Sequence, residues 1–303
     1  MKQRISIICT IVMMVLLVFG CGPKQLGTTG ATHQVTDGTG TVVTVPTEPK
    51  HIVPIAASTE DIVLSLVDPS RVAAVGTVPN NVPDASAKVE KHVKASAESM
   101  LSVQPDLVLV PNWMSPDAIG EMRNMQIPVY VYKTPTTVKE AKATIHEIAG
   151  LLHASDESMI ASMDADLKTV EELTNKHSGE RPLVAFYSQF GLTGGKGSTF
   201  DDMCNYLKVN NAATQIGLGP FDNGTREDLI KSNPDIIFIP SVAYTSDGTT
   251  PATAEQLYSD PALQGVKAIA DRRVYLVDSS QVMSYSQFMT RAMVSMAQNI
   301  YSM

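Results

Sequence analysis

Glu98-Ser99-Met100-Leu101-Ser102-Val103-Gln104-Pro105-Asp106-Leu107-Val108-Leu109-Val110-Pro111 is answered, from residue 227 on, by Glu227-Asp228-Leu229-Ile230-Lys231-Ser232-Asn233-Pro234-Asp235-Ile236-Ile237-Phe238-Ile239-Pro240. The Glu, the apolar residue three later, the Pro-Asp pair, the apolar run and the final Pro recur in register. Each copy reads the same way. The Glu stands near a helix N-terminus, where the macrodipole favours a negative charge. Pro-Asp ends the helix. Four apolar residues make a buried parallel strand, and Pro stops it. One such unit occurs in any α/β protein, but two in register predict two similar lobes.

The flanks extend this reading. Ile52-Val53-Pro54-Ile55, Val72-Ala73-Ala74-Val75, Leu107-Val108-Leu109-Val110 and Val129-Tyr130-Val131-Tyr132 read as strands. Helical stretches at 59–66, 96–103 and 115–124 alternate with them, and Val138, Ala141, Ile145, Ile148 and Leu152 follow at helical spacing. The alternation restarts with Leu183-Val184-Ala185-Phe186-Tyr187 and continues through Ile236-Ile237-Phe238-Ile239 and Val274-Tyr275-Leu276-Val277, with helices at 199–207, 225–232, from Ala254, and at 288–301. Short aliphatic strands alternating with helices predict parallel sheets covered on both faces. Ahead of them His33-Gln34-Val35-Thr36 and Thr41-Val42-Val43-Thr44-Val45-Pro46 flank a Gly-containing turn, the pattern of a hairpin.

Between the two series lies 155–176, uninterrupted by Gly or Pro, with Met159, Met163, Leu167, Val170 and Leu173 at helical spacing. Ser155 can cap it, and at 1.5 Å per residue it spans about 33 Å, roughly a domain diameter. The Met spacing reads as core packing. The fold class expected is therefore α/β: two similar lobes with parallel-type central sheets, joined by one long helix, with a ligand cleft between the lobes. The expected divisions are a signal peptide at 1–20, a lipidated Cys and flexible tether at 21–32, an N-terminal lobe at 33–154, a linking helix at 155–178 and a C-terminal lobe at 179–303.

The signal reading rests on Lys2 and Arg4 before the apolar run from Ile5 to Phe19, which is too short to span a bilayer comfortably. Gly20-Cys21 at its end resembles the lipobox of bacterial lipoproteins, which implies acylation of Cys21 and a membrane anchor. Cys9 falls in the signal, so Cys204 has no disulfide partner in the mature body and reads as a small buried hydrophobe. Without Lys2 and Arg4, 21 basic residues face 31 acidic ones, a net charge of −10 that disfavours nucleic acid as a partner.

With these features the chain resembles the substrate-binding lipoproteins of ABC importers for ferric siderophores, haem and corrinoids. The resemblance rests on Val35-Thr36-Asp37-Gly38-Thr39-Gly40, Pro49-Lys50-His51-Ile52-Val53, Ser58-Thr59-Glu60-Asp61-Ile62, Val72-Ala73-Ala74-Val75-Gly76 and the two repeat segments, in order and spacing, over nearly all of 33–303. It implies a monomeric binding protein, exported and lipid-anchored to face the periplasm or cell exterior, that hands a metal chelate to a membrane permease and its ATPase. It also implies that one Glu on each lobe, Glu98 and Glu227, docks onto arginines of the two-fold permease.

Ligands of open α/β sheets bind beyond the C-terminal strand ends. Candidate cleft loops are Ala57-Ser58-Thr59, Thr77-Val78-Pro79-Asn80, Asn112-Trp113-Met114, Ser188-Gln189-Phe190, Val242-Ala243-Tyr244 and Gln281-Val282-Met283-Ser284-Tyr285. Trp113, Tyr244, Tyr285, Phe190, Ser58 and Asn80 are the candidate ligand-binding residues. Neutral and aromatic loops, with Lys133 the only nearby base, favour a corrinoid or a neutral hydroxamate complex over an anionic catecholate, which wants several Arg. Haem fits less well: it needs an axial ligand, for which Tyr187, Tyr244 or Tyr285 could serve. The scattered His predict no bare-metal site, and no cofactor is expected. The competing class is an exported α/β hydrolase or adhesin. No Gly-x-Ser-x-Gly elbow appears, His146-Glu147 lacks a second zincin His, and Gly194-Gly195-Lys196-Gly197-Ser198-Thr199 lacks the Walker spacing and reads as a tight turn before a helix.

Overall fold

The computed structural model describes residues 30–78, 80–241 and 253–301. Within them the repeat of sequence is a repeat of structure. Helices Ala97–Val103 and Arg226–Ser232, each about two turns long, lead into strands Leu107–Pro111 and Ile236–Pro240. Ser96 and Thr225 cap the helix starts with their hydroxyls. Gln104 and Asn233 end them in the left-handed conformation, at φ 48° and 46°. The Pro-Asp aspartates then do equivalent jobs. Asp106 accepts the Lys50 and His51 N–H groups at 2.7 and 2.9 Å. Asp235 accepts the Leu183 N–H at 2.8 Å. Each carboxylate thus pins the start of the neighbouring strand, which is why the pair recurs.

The strands, in chain order, are β1 (Thr32–Thr36), β2 (Val42–Pro46), β3 (Ile52–Pro54), β4 (Leu107–Pro111), β5 (Val129–Tyr132), β6 (Leu183–Ser188), β7 (Gly191–Thr193), β8 (Asn210–Asn211), β9 (Ile236–Pro240) and β10 (Val274–Val277). β3, β4 and β5 form one parallel sheet in that order. The second sheet runs β10-β9-β6-β7, with β8 also on β6; all pairings are parallel except the β6–β7 hairpin. The stretch 72–75, expected as a strand, makes only single bridges, Ile52 to Val72 and Val75 to His92. Its aliphatic run is broken from a ladder by the turn Pro69–Arg71 before it and by the loop after Gly76, whose N–H is tied to Glu60.

The β1–β2 hairpin docks through its turn. Asp37, buried, accepts the Thr39 and Thr41 N–H groups at 2.9 and 3.0 Å and pairs with Arg123. The Gly38 N–H reaches the Val131 carbonyl at 2.7 Å, and a Cβ at Gly38 would stand 2.8 Å from the Lys133 nitrogen, so only glycine allows this approach.

The linking helix is Glu157–Asn175, shorter at both ends than the expected 155–178. Asp156 stands at its N-cap position without a side-chain cap, and the preceding helix Val138–Leu152 ends at His153 in the left-handed conformation. Met159, Met163 and Val170 are buried as their spacing predicted, and Leu167 and Leu173 are partly so. They pack on the C-terminal helix Phe288–Tyr301, which offers Met289, Met293 and Met296 in return.

Strand alternation assigns the cores. Leu107 and Leu109 face one way into a cluster shared with Ile236, Phe238, Met163 and Met293; this single core passes through both halves of the molecule. Val108 and Val110 face the outer core of the first sheet, Ile237 and Ile239 that of the second. Cys204 is buried in the shared core, and burial pushes its thiol well up.

Candidate functional site

A cleft of about 890 Å³ opens between the two sheets at the C-terminal ends of their strands. The first half supplies Ser58 and Ala57 from the start of helix Ala57–Leu66, Asn112 and Trp113 after β4, and Tyr132 at the end of β5. The second half supplies Phe186 and Ser188 from the end of β6, Phe190 from the β6–β7 turn, Phe200 from helix Thr199–Tyr206, Phe221, Met283 and Tyr285.

The floor is fixed. Thr59, buried, donates to the Ile55 carbonyl at 2.6 Å and takes the Tyr132 hydroxyl proton at 2.8 Å. Burial pushes the Tyr132 phenol far up, so it stays protonated. The walls are fixed as well. Asn112 accepts the Thr134 N–H at 3.0 Å and its own N–H meets the Tyr132 carbonyl at 3.0 Å, while Met114 tucks into the core. Trp113 therefore stands out of a braced turn with 60% of its surface exposed. The Phe221 loop is tied by Gly219 N–H to Asp222 at 2.7 Å and by the reciprocal Leu192–Gly224 pair at 3.0 and 2.7 Å. From it Phe221 projects, 89% exposed.

Hydrogen bonds cross between the halves beneath the cleft. Asp202 of the second caps the Val138 N–H of the first at 2.8 Å. Ser58 accepts the Tyr285 N–H at 3.1 Å. Asp61, with no exposed surface, accepts Asn81 N–H, the Asn81 amide and the Ser286 hydroxyl at 2.7, 2.8 and 3.0 Å, and Asn81 exchanges bonds with Ser280 at 3.0 and 2.6 Å. Burial raises the Asp61 carboxyl, against these donors. Its neighbour Glu60 is likewise raised by burial and holds the Gly76 N–H and the Asn80 amide, each at 2.7 Å.

Of the candidate ligand residues, Trp113, Phe190, Ser58 and Tyr285 line the cleft together. Asn80 does not. Its amide is spent on Glu60, and it borders a separate hollow of about 260 Å³ beside His92. Tyr244 and Cys21 lie outside the described residues, as do 1–29 as a whole. Glu98 and Glu227 are both exposed, each at the second residue of its helix. Sequence reasoning missed Tyr132, Phe186, Phe200 and Phe221. The first two end or nearly end strands whose C-termini face the cleft, a signal that was available. Phe221 sits in Gly-Leu-Gly-Pro-Phe-Asp-Asn-Gly, where an aromatic among turn formers has no core to enter.

Among the described lining residues the charges are few: Lys133, itself 3.7 Å from Glu140, and Asp222, committed to Gly219. Such a site can bind by apolar area and aromatic stacking, with amide and hydroxyl groups for orientation.

A two-lobed α/β architecture with a cleft between the lobes has known counterparts. The family model described as periplasmic binding protein matches residues 52–281. An uncharacterized ABC transporter substrate-binding lipoprotein, YvrC of Bacillus subtilis, is 26% identical, over 99% of this chain and 98% of its own. A cobalamin-binding protein of Halobacterium salinarum is 22% identical, over 86% of this chain and 72% of its own. Among solved structures, the periplasmic heme-binding protein RhuT from Roseiflexus superposes with a TM-score of 0.70 at 19% identity, covering 84% of this chain and 98% of that one. The match across most of the chain, with the two-lobed fold beneath it, makes this chain a member of the periplasmic binding protein family.

Proposed function

We propose that this chain is the extracytoplasmic receptor of an ABC importer and that its ligand is a large, largely uncharged metal chelate, a corrinoid or a hydroxamate-type ferric complex. The observation that carries the reading is a cluster of exposed large apolar side chains around the cleft. Val78, Trp113, Phe190, Phe221 and Met283 are all exposed, and all line it, whereas Val42, Met125 and Leu276 are exposed singly elsewhere. Scattered apolar residues on a surface need no explanation, but a cluster on braced loops around a concavity marks a binding site. Lys133, the only base among the described lining residues, argues against a multiply anionic catecholate. The cobalamin-binding relative agrees with the corrinoid choice.

Within this reading Trp113, Phe190, Phe221 and Tyr285 stack on or flank the chelate, and Ser58 orients it. Glu98 and Glu227 engage basic sockets of the permease, two separated carboxylates giving register on a two-fold partner. Acylated Cys21 holds the protein at the membrane, and the chain acts as a binder, not a catalyst.

Titration of the chain from Gly22 onward with cyanocobalamin, a ferric hydroxamate, a ferric catecholate and haem tests it. Quenching of Trp113 at submicromolar cyanocobalamin or hydroxamate, without turnover, is the expected result. Tight binding of the catecholate alone would overturn the ligand class. Haem is the second reading, because Tyr285 and Met283 both line the cleft and either can be an axial ligand; a Soret shift lost in Tyr285→Phe or Met283→Leu would select it.

A further inference from the structure

Nearly every position that recurs between 98–111 and 227–240 has work inside the molecule. Met100 and Leu229 are fully buried. Gln104 and Asn233 supply left-handed caps, Asp106 and Asp235 pin the adjacent strands, and the strand residues fill cores. The recurring glutamates gain from the helix dipole and are exposed, Glu227 with only a long contact of 4.0 Å to Arg226. One further pair recurs at the surface and outside the apolar cores: Leu101 and Ile230, aliphatic in both copies and left exposed to nearly the same degree, 38% and 37%.

We propose that Leu101 and Ile230 are docking residues, each forming with its glutamate a carboxylate-plus-aliphatic contact, one per lobe, for a two-fold symmetric membrane permease. The proposal rests on the permease reading given above and adds the apolar half of the contact. Residues three apart on a helix share a face, so Glu98 with Leu101, and Glu227 with Ile230, present as pairs. Each helix reverses through a short Pro-Asp turn into its strand, so its N-terminal turn stands at the strand's C-terminal end, the end at which the cleft opens. A partner with two identical sockets requires the same chemistry twice, and this is the chemistry that recurs at the surface of both lobes. Carboxylates on both lobes would repel a second copy of this chain at the same face, and they complement a basic socket. Exposed ion pairs alone bind weakly because water screens them. An aliphatic side chain buried beside each pair excludes that water and is worth about tenfold or more in affinity.

The test places the photo-crosslinker benzoylphenylalanine at Leu101, at Ile230, at Glu98, at Glu227 and, as a control, at exposed Val42 of β2, in the full lipidated chain in its native cells. The expected result is one integral membrane protein of the ABC permease type captured from 101 and 230 at least tenfold above the Val42 background, with Leu101→Ser/Ile230→Ser lowering capture from 98 and 227 about tenfold. Capture from 98 and 227 with background yield from 101 and 230 would overturn this proposal and leave the permease reading standing. Background yield at all four positions would overturn both. Unchanged capture in the double serine variant would show the aliphatic pair to be idle.

Discussion

Phe221 carries the sharpest residue-scale prediction because its two roles separate. With 89% of its surface exposed it contributes almost nothing to the fold, so Phe221→Ala should leave stability within about 0.5 kcal/mol. The ring is held out at the cleft by a hydrogen-bonded loop, so the cost of ordering it is met before ligand arrives. Loss of its stacking area should weaken binding of cyanocobalamin by about 1–3 kcal/mol, tenfold or more. A thermal melt and a fluorescence titration on the same preparation check both halves. A variant that melts normally and binds normally would remove Phe221 from the site. Tyr132 is the converse case. It is fully buried, and its hydroxyl is given to Thr59 at 2.8 Å. Tyr132→Phe should therefore cost about 1 kcal/mol of stability, through the unmet Thr59 acceptor, with a smaller effect on affinity.

At the scale of elements the two Pro-Asp pins invite comparison. Asp106 is buried and serves two backbone N–H groups, whereas Asp235 is partly exposed and serves one, with Lys267 at 3.3 Å. Asp106→Ala should cost about 2–3 kcal/mol and Asp235→Ala less, read from urea midpoints at constant m value. The hairpin turn gives a pH prediction. Burial pushes the Asp37 carboxyl up, but hydrogen bonds from Thr39, Thr41 and Val131 outweigh it and hold it below its ordinary 3.8. A depressed folded value means stability present in full above the unfolded value and lost as pH falls through the folded one. Asp37→Asn should flatten that acid limb below about pH 3.8 while lowering stability at neutral pH. A mutant curve parallel to wild type would contradict it. These elements also show what the sequence made legible. The strands of the repeat and the helix Phe288–Tyr301 follow from periodicity and Pro-Asp stops, because local pattern and burial agree there. The 72–75 run misled, because four aliphatic residues signal burial without specifying a ladder, and here loops anchored on Glu60 and at Pro69–Arg71 decide the path. In the cleft, Trp113 and Phe190 could be placed from strand ends. Asn80 could not, since its orientation depends on the buried Glu60 one helix away.

Over the whole molecule the decisive feature is that the halves share one apolar core. Lobes joined by a thin linker move freely by default, unless the interface between them is large and apolar. Here the cluster running from Ile52 and Leu109 through Met163 and Met293 to Phe186 and Phe238 is continuous, and polar bonds cross the cleft floor at Asp202, Ser58 and Asp61. Two consequences follow. Unfolding should be a single cooperative transition, with calorimetric and van't Hoff enthalpies equal, and two resolved transitions would contradict the shared core. The second concerns Asp61, a carboxylate with no exposed surface that collects the Asn81 and Ser286 donors where helix Ala57–Leu66 meets the segment before the C-terminal helix. Removing an acceptor from so many buried donors is costly, so Asp61→Ala should lose about 3 kcal/mol. Because those donors come from both halves, the loss should not stay local. Amide exchange should quicken on helix Ala57–Leu66 and on 279–287 together, and ligand affinity should fall because the cleft is no longer held at its spacing. Faster exchange confined to one of the two segments would show Asp61 to be a local brace, and would leave the shared apolar core and the Asp202 and Ser58 bonds as the ties between the lobes.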